Sequence, residues 1–300
     1  MAKLIVPLMG GLGNQLFQLQ AALSLFDGEI ELLGNIGKPR LTSGIPDICY
    51  SKLPERVIYR RRREVKFLEK VHSLVLRNSL YGAHQGARKR IINMFAAIIF
   101  SLYMKRIVRV RTSNNLGFCE MGRIAGNTFL IGYFQSYRWT NQEISQVVIT
   151  GCSEKIQHLK NESSLKSICI LHIRLTDYLS EENFGQLTSD YYEEALDLIY
   201  ANLKIEEIWL FSDDINLALT IIPIKYRDKI RVIDDTGLLP IEVLVGMACG
   251  DAYVIANSTF SWWAARLSSA RMIIAPKPWF RSAESPKELI PVEWIQLERS

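Results

Sequence analysis

The 300-residue chain has few cysteines, no metal-binding motif and no internal repeat. Its five cysteines are scattered and form no C-x-x-C pair, a pattern typical of a reducing compartment rather than a disulfide framework or a zinc site. The four histidines form no H-E-x-x-H pattern, and no D-x-D pair of metal-binding spacing occurs. We therefore expect no resident metal ion or other cofactor, and the lack of repeats excludes solenoids and propellers.

Long apolar runs are also missing. No stretch approaches the roughly 18 to 20 apolar residues that a membrane-spanning helix needs. The first nine residues form one short apolar run without a basic n-region or a small-residue cleavage site, so we expect no secretory signal and a chain that stays in the cytoplasm. With 48% hydrophobic and 22% charged residues, the chain is an ordinary globular protein, long enough for two domains of about 150 residues.

Positive charge is concentrated in one segment. Residues 52–111 contain 16 Lys and Arg against three acids, a balance of +13, whereas the remainder has 20 basic and 28 acidic residues, a balance of −8. A protein that binds a polyanion along its whole length is therefore disfavoured, and we expect no nucleic-acid partner.

Strands and helices alternate along most of the chain. The predicted strands are Lys3–Met9, Glu29–Leu33, Thr128–Phe134, Ser167–Arg174, Glu207–Phe211, Lys229–Ile233, Tyr253–Ala256 and Met272–Ala275. Predicted helices follow several of them, and the one after Ser189 and Asp190 has Glu193 placed for a capping box. This alternation indicates an α/β fold of parallel sheets covered on both faces. A polar stretch near 151–164 suggests two Rossmann-like domains, 1–160 with a basic helical insertion at about 52–111, and 161–300.

A glycine-rich loop follows the first predicted strand. Its residues Gly10, Gly11, Gly13, Asn14 and Gln15 stand where a helix begins, so a phosphate or sugar could approach backbone N–H groups. The alternatives are a simple packing turn and a dinucleotide-binding loop. The dinucleotide fingerprint requires a third glycine where this chain has Leu16, although Glu31 lies about twenty residues on.

The predicted strand before residue 175 ends in His172-Ile173-Arg174. Ligands bind at the carboxyl ends of strands in open α/β sheets, and Arg174 offers a bidentate fork for phosphate. Residues two apart in a strand share a face, so His172 and Arg174 are predicted to project together. The alternative is an ion pair between Arg174 and Asp177 that merely orders the loop.

Two further strand ends are polar. Asp213 and Asp214 follow one strand and could bind a metal, a base amine or sugar hydroxyls, or could cap a helix. The other strand runs into hydroxyl and amide side chains that would form an uncharged anion cradle at a helix start: Asn257, Ser258, Thr259 and Ser261. Capping by Ser258 or Thr259 is the alternative there, and we interpret Trp262 and Trp263 as packing residues.

Together these motifs resemble those of one family. GGLGNQLFQ (10–18), GYFQS (132–136), HIRLTDY (172–178), FSDD (211–214), NSTFSWWAARL (257–267) and APKPWF (275–280) occur in the order found in bacterial α-1,2-fucosyltransferases of the eleventh glycosyltransferase family. The resemblance runs from Met9 to Phe280 and is poorest at about 37–115.

The resemblance implies a GT-B-like fold, with two Rossmann-like domains whose parallel sheets face a cleft. It implies inverting, metal-independent transfer of L-fucose from GDP-fucose to a galactose 2-hydroxyl, in surface polysaccharide (O-antigen) synthesis. By the same likeness Arg174 would grip the pyrophosphate, His172 and the pair Asp213 and Asp214 would contact the guanine, and the 257–261 cluster would cradle phosphate. Gly11, Gly13, Asn14 and Gln15 would approach the fucose and the acceptor.

Two adjacent positions depart from the commonest family form, H-x-R-R-G-D-Y. Leu175 and Thr176 stand for the second Arg and the Gly, which removes one cation from the neighbourhood of two phosphates. Inversion in one displacement also needs a base for the acceptor hydroxyl, and Asp177 is the candidate by location.

Other functions stay open from the sequence. A Rossmann-type NAD-dependent oxidoreductase would use the first glycine loop, and a non-catalytic membrane-associating protein would use the basic segment. Within that segment, residues 88–111 combine an apolar stretch with seven cations and no acid. We predict that they dock the enzyme peripherally on anionic lipid at the inner face of the cytoplasmic membrane, where lipid-linked galactose-containing acceptors would be available. The alternative is a helix buried in the first domain.

Overall fold

The computed structural model describes residues 2–34, 47–60, 66–80, 86–139, 143–145, 153–175 and 185–299. The chain divides into two compact units. Unit 1 consists of Met1–Thr150 and Pro286–Leu289, and unit 2 of Gly151–Ser285 and Ile290–Ser300. The division falls at residue 150 rather than at the expected 160. The short return of Pro286–Leu289 to unit 1 was not expected, and backbone hydrogen bonds fix it, such as Phe118 N–H to Lys287 O at 3.0 Å.

Unit 1 is built on one parallel sheet. Its strands are β1 (Lys3–Pro7), β2 (Glu29–Leu33), β3 (Val57–Arg60), β4 (Arg109–Thr112) and β5 (Thr128–Ile131), in the order β3-β2-β1-β5-β4. Its helices are α1 (Leu12–Leu25), α2 (Lys66–Leu80) and α3 (Gly86–Met104). The basic segment contributes the edge strand β3, all but the last residue of the edge strand β4, and helices α2 and α3 to unit 1.

Helices cover the sheet because their apolar faces need burial. Nearly every residue of α1 is buried. On α2 and α3 the buried residues recur at helical spacing and pack with Ile5 and Phe129 of the sheet. The rings of Phe100 in α3 and Phe129 in β5 are stacked, with centroids 4.3 Å apart. The core of unit 1 therefore includes one face of the basic helical segment.

Unit 2 has the strand order of a dinucleotide-binding sheet. Its strands are β6 (Ile168–Ile173), β7 (Glu207–Ser212), β8 (Ile230–Val232), β9 (Ala252–Val254), β10 (Met272–Lys277) and β11 (Ile295–Glu298), in the parallel order β11-β10-β9-β6-β7-β8. Its helices are α4 (Glu154–Ser163), α5 (Ser189–Asn202), α6 (Ile215–Ile221), α7 (Pro240–Met247) and α8 (Thr259–Leu267). The strand order reverses between β6 and β9, which is where open α/β sheets form a ligand crevice.

The predicted α/β class with Rossmann-like parallel sheets is confirmed. The predicted capping box is wrong, because α5 already begins at Ser189, its N-cap is Thr188, and no side chain caps it. Strands β3, β4 and β11 were not predicted. In the described part of the chain, no helix is long and apolar enough to cross a membrane.

Candidate active site

The ends of β6 and β7 are joined by one carboxylate. Residues 172 and 173 pair with 211 and 212, which brings the next residues of the two strands together. The Nε of Arg174 lies 3.2 Å from Oδ2 of Asp213, and the backbone N–H of Leu175 donates to Oδ1 of the same carboxylate at 2.8 Å. Both oxygens of Asp213 therefore position the end of β6. The described ion-pair partner of Arg174 is Asp213, whereas Asp177, its alternative partner and the candidate base, lies outside the described residues.

His172 lies beside this pair as a buried, neutral imidazole. Its side chain is 5% exposed, and within the described structure its Nδ1 has no hydrogen-bond partner. Burial is the main cause that lowers the pKa of His172 to about 3; the nearby guanidinium of Arg174 acts in the same direction, and Asp213 opposes both. At neutral pH His172 therefore offers a hydrogen bond but no charge, and the guanidinium is the cation at this strand end.

Asp214 serves a different purpose from its neighbour. Its Oδ1 accepts from the backbone N–H of Leu217 at 3.0 Å, which caps the first turn of α6. The helix-cap interpretation is thus confirmed for Asp214. A contact of either aspartate with guanine remains a prediction.

The cluster at the start of α8 forms a tight strand-to-helix turn. Ser258 is the N-cap, and its hydroxyl accepts from the backbone N–H of Phe260 at 3.3 Å. Ser261 is fully buried and donates to the carbonyl oxygens of Ala256 and Ser258. Asn257 is also buried, and Thr259 is half-buried. Thr259 and the α8 N-terminus are thus the more accessible part of the predicted anion cradle, and Ser261 supports the turn.

Two hydrophobic features frame this edge of the sheet. Trp262 and Trp263 are 1% exposed and meet edge to face with ring centroids 5.1 Å apart, which confirms them as packing residues. Leu175, which replaces the commoner arginine, is also 1% exposed and belongs to the apolar core of unit 2. A leucine suits this position because the side chain packs inward.

The glycine loop of unit 1 is closed by two glutamines. Gln18 pairs with the backbone of Met9, accepting from its N–H at 3.0 Å and donating to its carbonyl at 3.3 Å. Gln15 donates to the carbonyl of Gly10 at 2.9 Å and accepts from the N–H of Ile48 at 3.0 Å. Gly10 has φ of 69°, and a Cβ there would lie 2.5 Å from the Asn14 amide nitrogen, so the loop requires glycine at this point.

Gln135 is a polar residue of unit 1 to which the sequence analysis gave no role. It follows β5, and its Nε2 donates to Oδ1 of Asn14 at 2.8 Å. Its own Oε1 is buried and, among the described residues, has no partner. The strand order of unit 1 reverses between β1 and β5, so Asn14 and Gln135 mark the crevice expected at such a reversal. The GYFQS motif at 132–136 contains Gln135 and is the feature of the sequence that indicates it.

Gly11 and Gly13 lie at the start of α1, Gly11 as its N-cap. Together with Asn14 and Gln15 they belong to unit 1, whereas His172, Arg174, Asp213 and the 257–261 cluster belong to unit 2.

Among the residues that the structure describes, no group of three or more His, Cys, Asp or Glu could hold a metal ion.

Comparison with known proteins decides the family. Residues 72–298 match the family described as glycosyl transferase family 11. The chain belongs to glycosyl transferase family 11. The predicted family is thereby confirmed, and the chain is a glycosyltransferase rather than an oxidoreductase.

Two proteins from Escherichia coli are similar to this chain in sequence. The chain is 24% identical over 321 residues to the O-antigen biosynthesis glycosyltransferase WbnK, an alignment that covers 97% of this chain and 99% of the relative. It is 27% identical over 226 residues to an alpha-1,2-colitosyltransferase, covering 70% of this chain and 74% of the relative.

Solved structures confirm the fold. The E. coli ADP-heptose lps heptosyltransferase II is similar with a TM-score of 0.53 at 13% identity, over 99% of this chain and 90% of that one. The fucosyltransferase NodZ from Bradyrhizobium has a TM-score of 0.51 at 12% identity, over 95% of this chain and 99% of that one. The chain therefore has the GT-B fold that the resemblance implied.

Proposed function

We propose that this glycosyltransferase moves L-fucose from GDP-fucose to the 2-hydroxyl of a galactose residue on a glycan acceptor, with inversion, in O-antigen synthesis. The observation that carries the proposal is the arginine fixed by Asp213 at the carboxyl ends of β6 and β7. The ends of β6 and β9 flank the point where the strand order of unit 2 reverses, and open α/β sheets bind ligands at such points, which supports a nucleotide contact for Arg174.

The chemistry requires an anion to be stabilised. Breaking the bond between fucose and phosphate leaves GDP with added negative charge while positive charge builds on the sugar. A preorganised guanidinium and the positive end of α8 supply groups for that anion, with Thr259 and Ser258 at the helix start. The neutral His172 adds a hydrogen bond but no charge to the nucleotide contact.

The acceptor contacts are assigned to unit 1. Gly11, Gly13, Asn14 and Gln15 remain the predicted sugar and acceptor residues. We add Gln135 as a positioning residue, because its Nε2 donates to Oδ1 of Asn14 and so orients that side chain. Asp177 remains the predicted base for the 2-hydroxyl.

Nucleotide binding tests the donor half of the proposal. Thermal shift with GDP, GDP-fucose, ADP and NADH should show stabilisation by the guanine nucleotides, about 2.7 kcal/mol or several degrees at 100 times Kd. Arg174→Ala should lose most of the shift. The matched control is Arg266→Ala, an exposed arginine in the last turn of α8. A shift with NADH alone, or one unaffected by Arg174→Ala, would contradict the proposal.

Metal independence has its own test. Transfer should persist in excess EDTA and should not rise when magnesium or manganese is added, because protein groups are assigned the phosphate charge. If EDTA stops transfer and manganese restores it, a metal belongs to the reaction and the aspartates at the end of β7 become its candidate ligands.

A second donor sugar is suggested by the colitosyltransferase relative. Colitose lacks the 3-hydroxyl of fucose, so direct competition between GDP-fucose and GDP-colitose measures whether this chain uses that hydroxyl. We propose preference for GDP-fucose, and a higher kcat/KM for GDP-colitose would replace fucose as the assigned donor.

The proposal places transfer in the cytoplasm. None of the four cysteines in the described part of the chain forms a disulfide bond, which is compatible with the reducing compartment predicted from their spacing.

A further inference from the structure

Helix α3 presents apolar side chains on two opposite faces. One face is buried, with Ala96, Phe100 and Met104 at most 8% exposed. The other face carries large apolar residues that are at least half exposed: Ile91, Met94, Phe95, Ile98 and Leu102. Their spacing of three or four residues places them on one side of the helix. The helix is therefore not simply a core element of unit 1, because half of its apolar surface has no covering among the described residues.

The exposed face continues into the turn after α3. Ile107 is 86% exposed, although its neighbour Val108 is buried. The turn is fixed: Arg106 N–H donates to Ser101 O at 3.1 Å, and Val108 N–H donates to the Ser101 hydroxyl at 2.9 Å. Ile107 is thus held outward by a defined turn. Leu102, Ile107 and their neighbours line an apolar groove of about 680 Å³.

Positive charge surrounds this face. Residues 88–111 contain seven cations and no acid, and six of the cations are exposed: Arg88, Arg90, Lys105, Arg106, Arg109 and Arg111. Across the described residues none of these six forms an ion pair. The seventh cation, Lys89, is half-buried, and its ammonium donates a hydrogen bond to Asn114. The apolar stripe therefore has exposed cations at both ends, before its first turn and after its last.

The cations and the apolar residues of this face together indicate what kind of partner it binds. An anionic lipid surface offers negative headgroups to the cations and an acyl boundary to the apolar stripe. A second copy docked through the same face would bring seven cations of each copy together, which opposes such a dimer. A nucleic acid would neutralise the cations but leave Phe95, Leu102 and Ile107 without an apolar partner.

We propose that the exposed face of α3 and the turn at 105–107 form a docking surface for anionic membranes, with α3 lying in the plane of the lipid interface. The helix of 19 residues is about 28 Å long, enough to place both cationic ends against headgroups simultaneously. This inference concerns binding to lipid and does not depend on the proposed donor or acceptor.

Vesicle flotation tests it with the full-length chain. Wild type should float with vesicles of equal parts phosphatidylcholine and phosphatidylglycerol at about 0.05 M salt, and much less at about 0.5 M salt or with phosphatidylcholine alone. Each cation near the surface contributes about fivefold to binding, so neutralising four should weaken it more than a hundredfold. The charge variant is Arg88→Gln, Arg90→Gln, Lys105→Gln and Arg106→Gln.

A second variant separates insertion from charge. Phe95→Ser, Leu102→Ser and Ile107→Ser remove exposed apolar groups and should reduce binding at least tenfold while keeping its salt dependence. Matched controls lie elsewhere: Leu165→Ser, Ile224→Ser and Val292→Ser are at least 80% exposed in unit 2. The charge control combines Lys52→Gln, Lys204→Gln, Arg266→Gln and Lys287→Gln, all exposed.

Every variant replaces exposed residues only, so we expect none of them to unfold the protein. Circular dichroism should show unchanged folding, and both control variants should bind vesicles as wild type does. The proposal is overturned if wild type does not bind anionic vesicles at low salt, or if the charge variant binds like wild type. A lipid-free dimer that the apolar variant dissociates would also overturn it, by assigning the face to a second copy.

Discussion

The carboxylate of Asp213 accepts from the backbone N–H of Leu175 at 2.8 Å and pairs with the guanidinium of Arg174 at 3.2 Å. One side chain at the end of β7 thus fixes both the backbone and the cation at the end of β6. This makes Asp213 a positioning residue, whereas Arg174 is assigned the contact with phosphate.

Arg174→Ala should strongly impair transfer and leave the fold intact. A charge-assisted bidentate contact commonly contributes about 2 to 5 kcal/mol, so we expect a loss of roughly thirty- to several-thousandfold in kcat/KM. Steady-state kinetics with GDP-fucose, beside the Arg266→Ala control, measures it. Wild-type turnover in Arg174→Ala would remove the arginine from the site.

The adjacent aspartates should behave differently. Asp213→Asn keeps an acceptor for Leu175 N–H but loses the charge that holds Arg174, so the KM for the donor should rise about tenfold or more with little change in stability. Asp214→Ala should lower the free energy of unfolding by about 1 kcal/mol through loss of the α6 cap. Donor titration and urea denaturation separate these effects, and equal effects of both variants on KM would refute the division of roles.

Gln135→Ala should impair use of the acceptor rather than of the donor. It removes the hydrogen bond that orients Asn14, and we expect a loss of about five- to a hundredfold in kcat/KM for the acceptor. Gln157→Ala, at an exposed position of α4, is the matched control. If Gln135→Ala changes only the melting temperature, the residue is structural.

His72 should make the fold sensitive to acid. It is 2% exposed on α2, and burial lowers its pKa from the ordinary 6.5 to about 4, so unfolding takes up a proton between these values. Above about pH 6.5 the neutral His72 imposes almost no penalty on the free energy of unfolding. As the pH drops to 5, that free energy falls by about 2 kcal/mol because of His72.

The test compares urea denaturation at pH 7 and pH 5. His72→Leu should lose less stability on acidification than wild type, by that amount, and the exposed His158→Gln should behave as wild type. The same acid sensitivity in wild type and His72→Leu would show that His72 does not contribute.

The central strands were predictable because both of their faces are buried. Strands β1, β6, β7 and β9 have apolar runs that identify them directly. The three strands that were not predicted, VIYR, RVRT and IQLE, all lie at sheet edges, where exposure permits charged residues and removes the apolar signal.

The site was predictable in its motifs but not in its contacts. Strand ends marked His172, Arg174 and Asp213, yet the pairing through Asp213 depends on the β6–β7 register, which the sequence does not contain. The alternatives for α3 were likewise a buried helix or a membrane surface, and the structure shows one apolar face buried and the other exposed. From Ile91 to Met104 the sequence of α3 is interrupted only by Asn93 and Ser101 among clearly polar residues, so it has little periodicity and its two faces could not be told apart in advance.

The most direct measurement is the structure of the reaction product. Purified protein is incubated with GDP-fucose and a panel of galactose-terminated oligosaccharides, and the product linkage is determined by NMR. We expect fucose to be joined through an inverted anomeric carbon to the galactose 2-hydroxyl. Transfer to another hydroxyl or with retained configuration, or no transfer of fucose to any galactose-terminated acceptor, would contradict it.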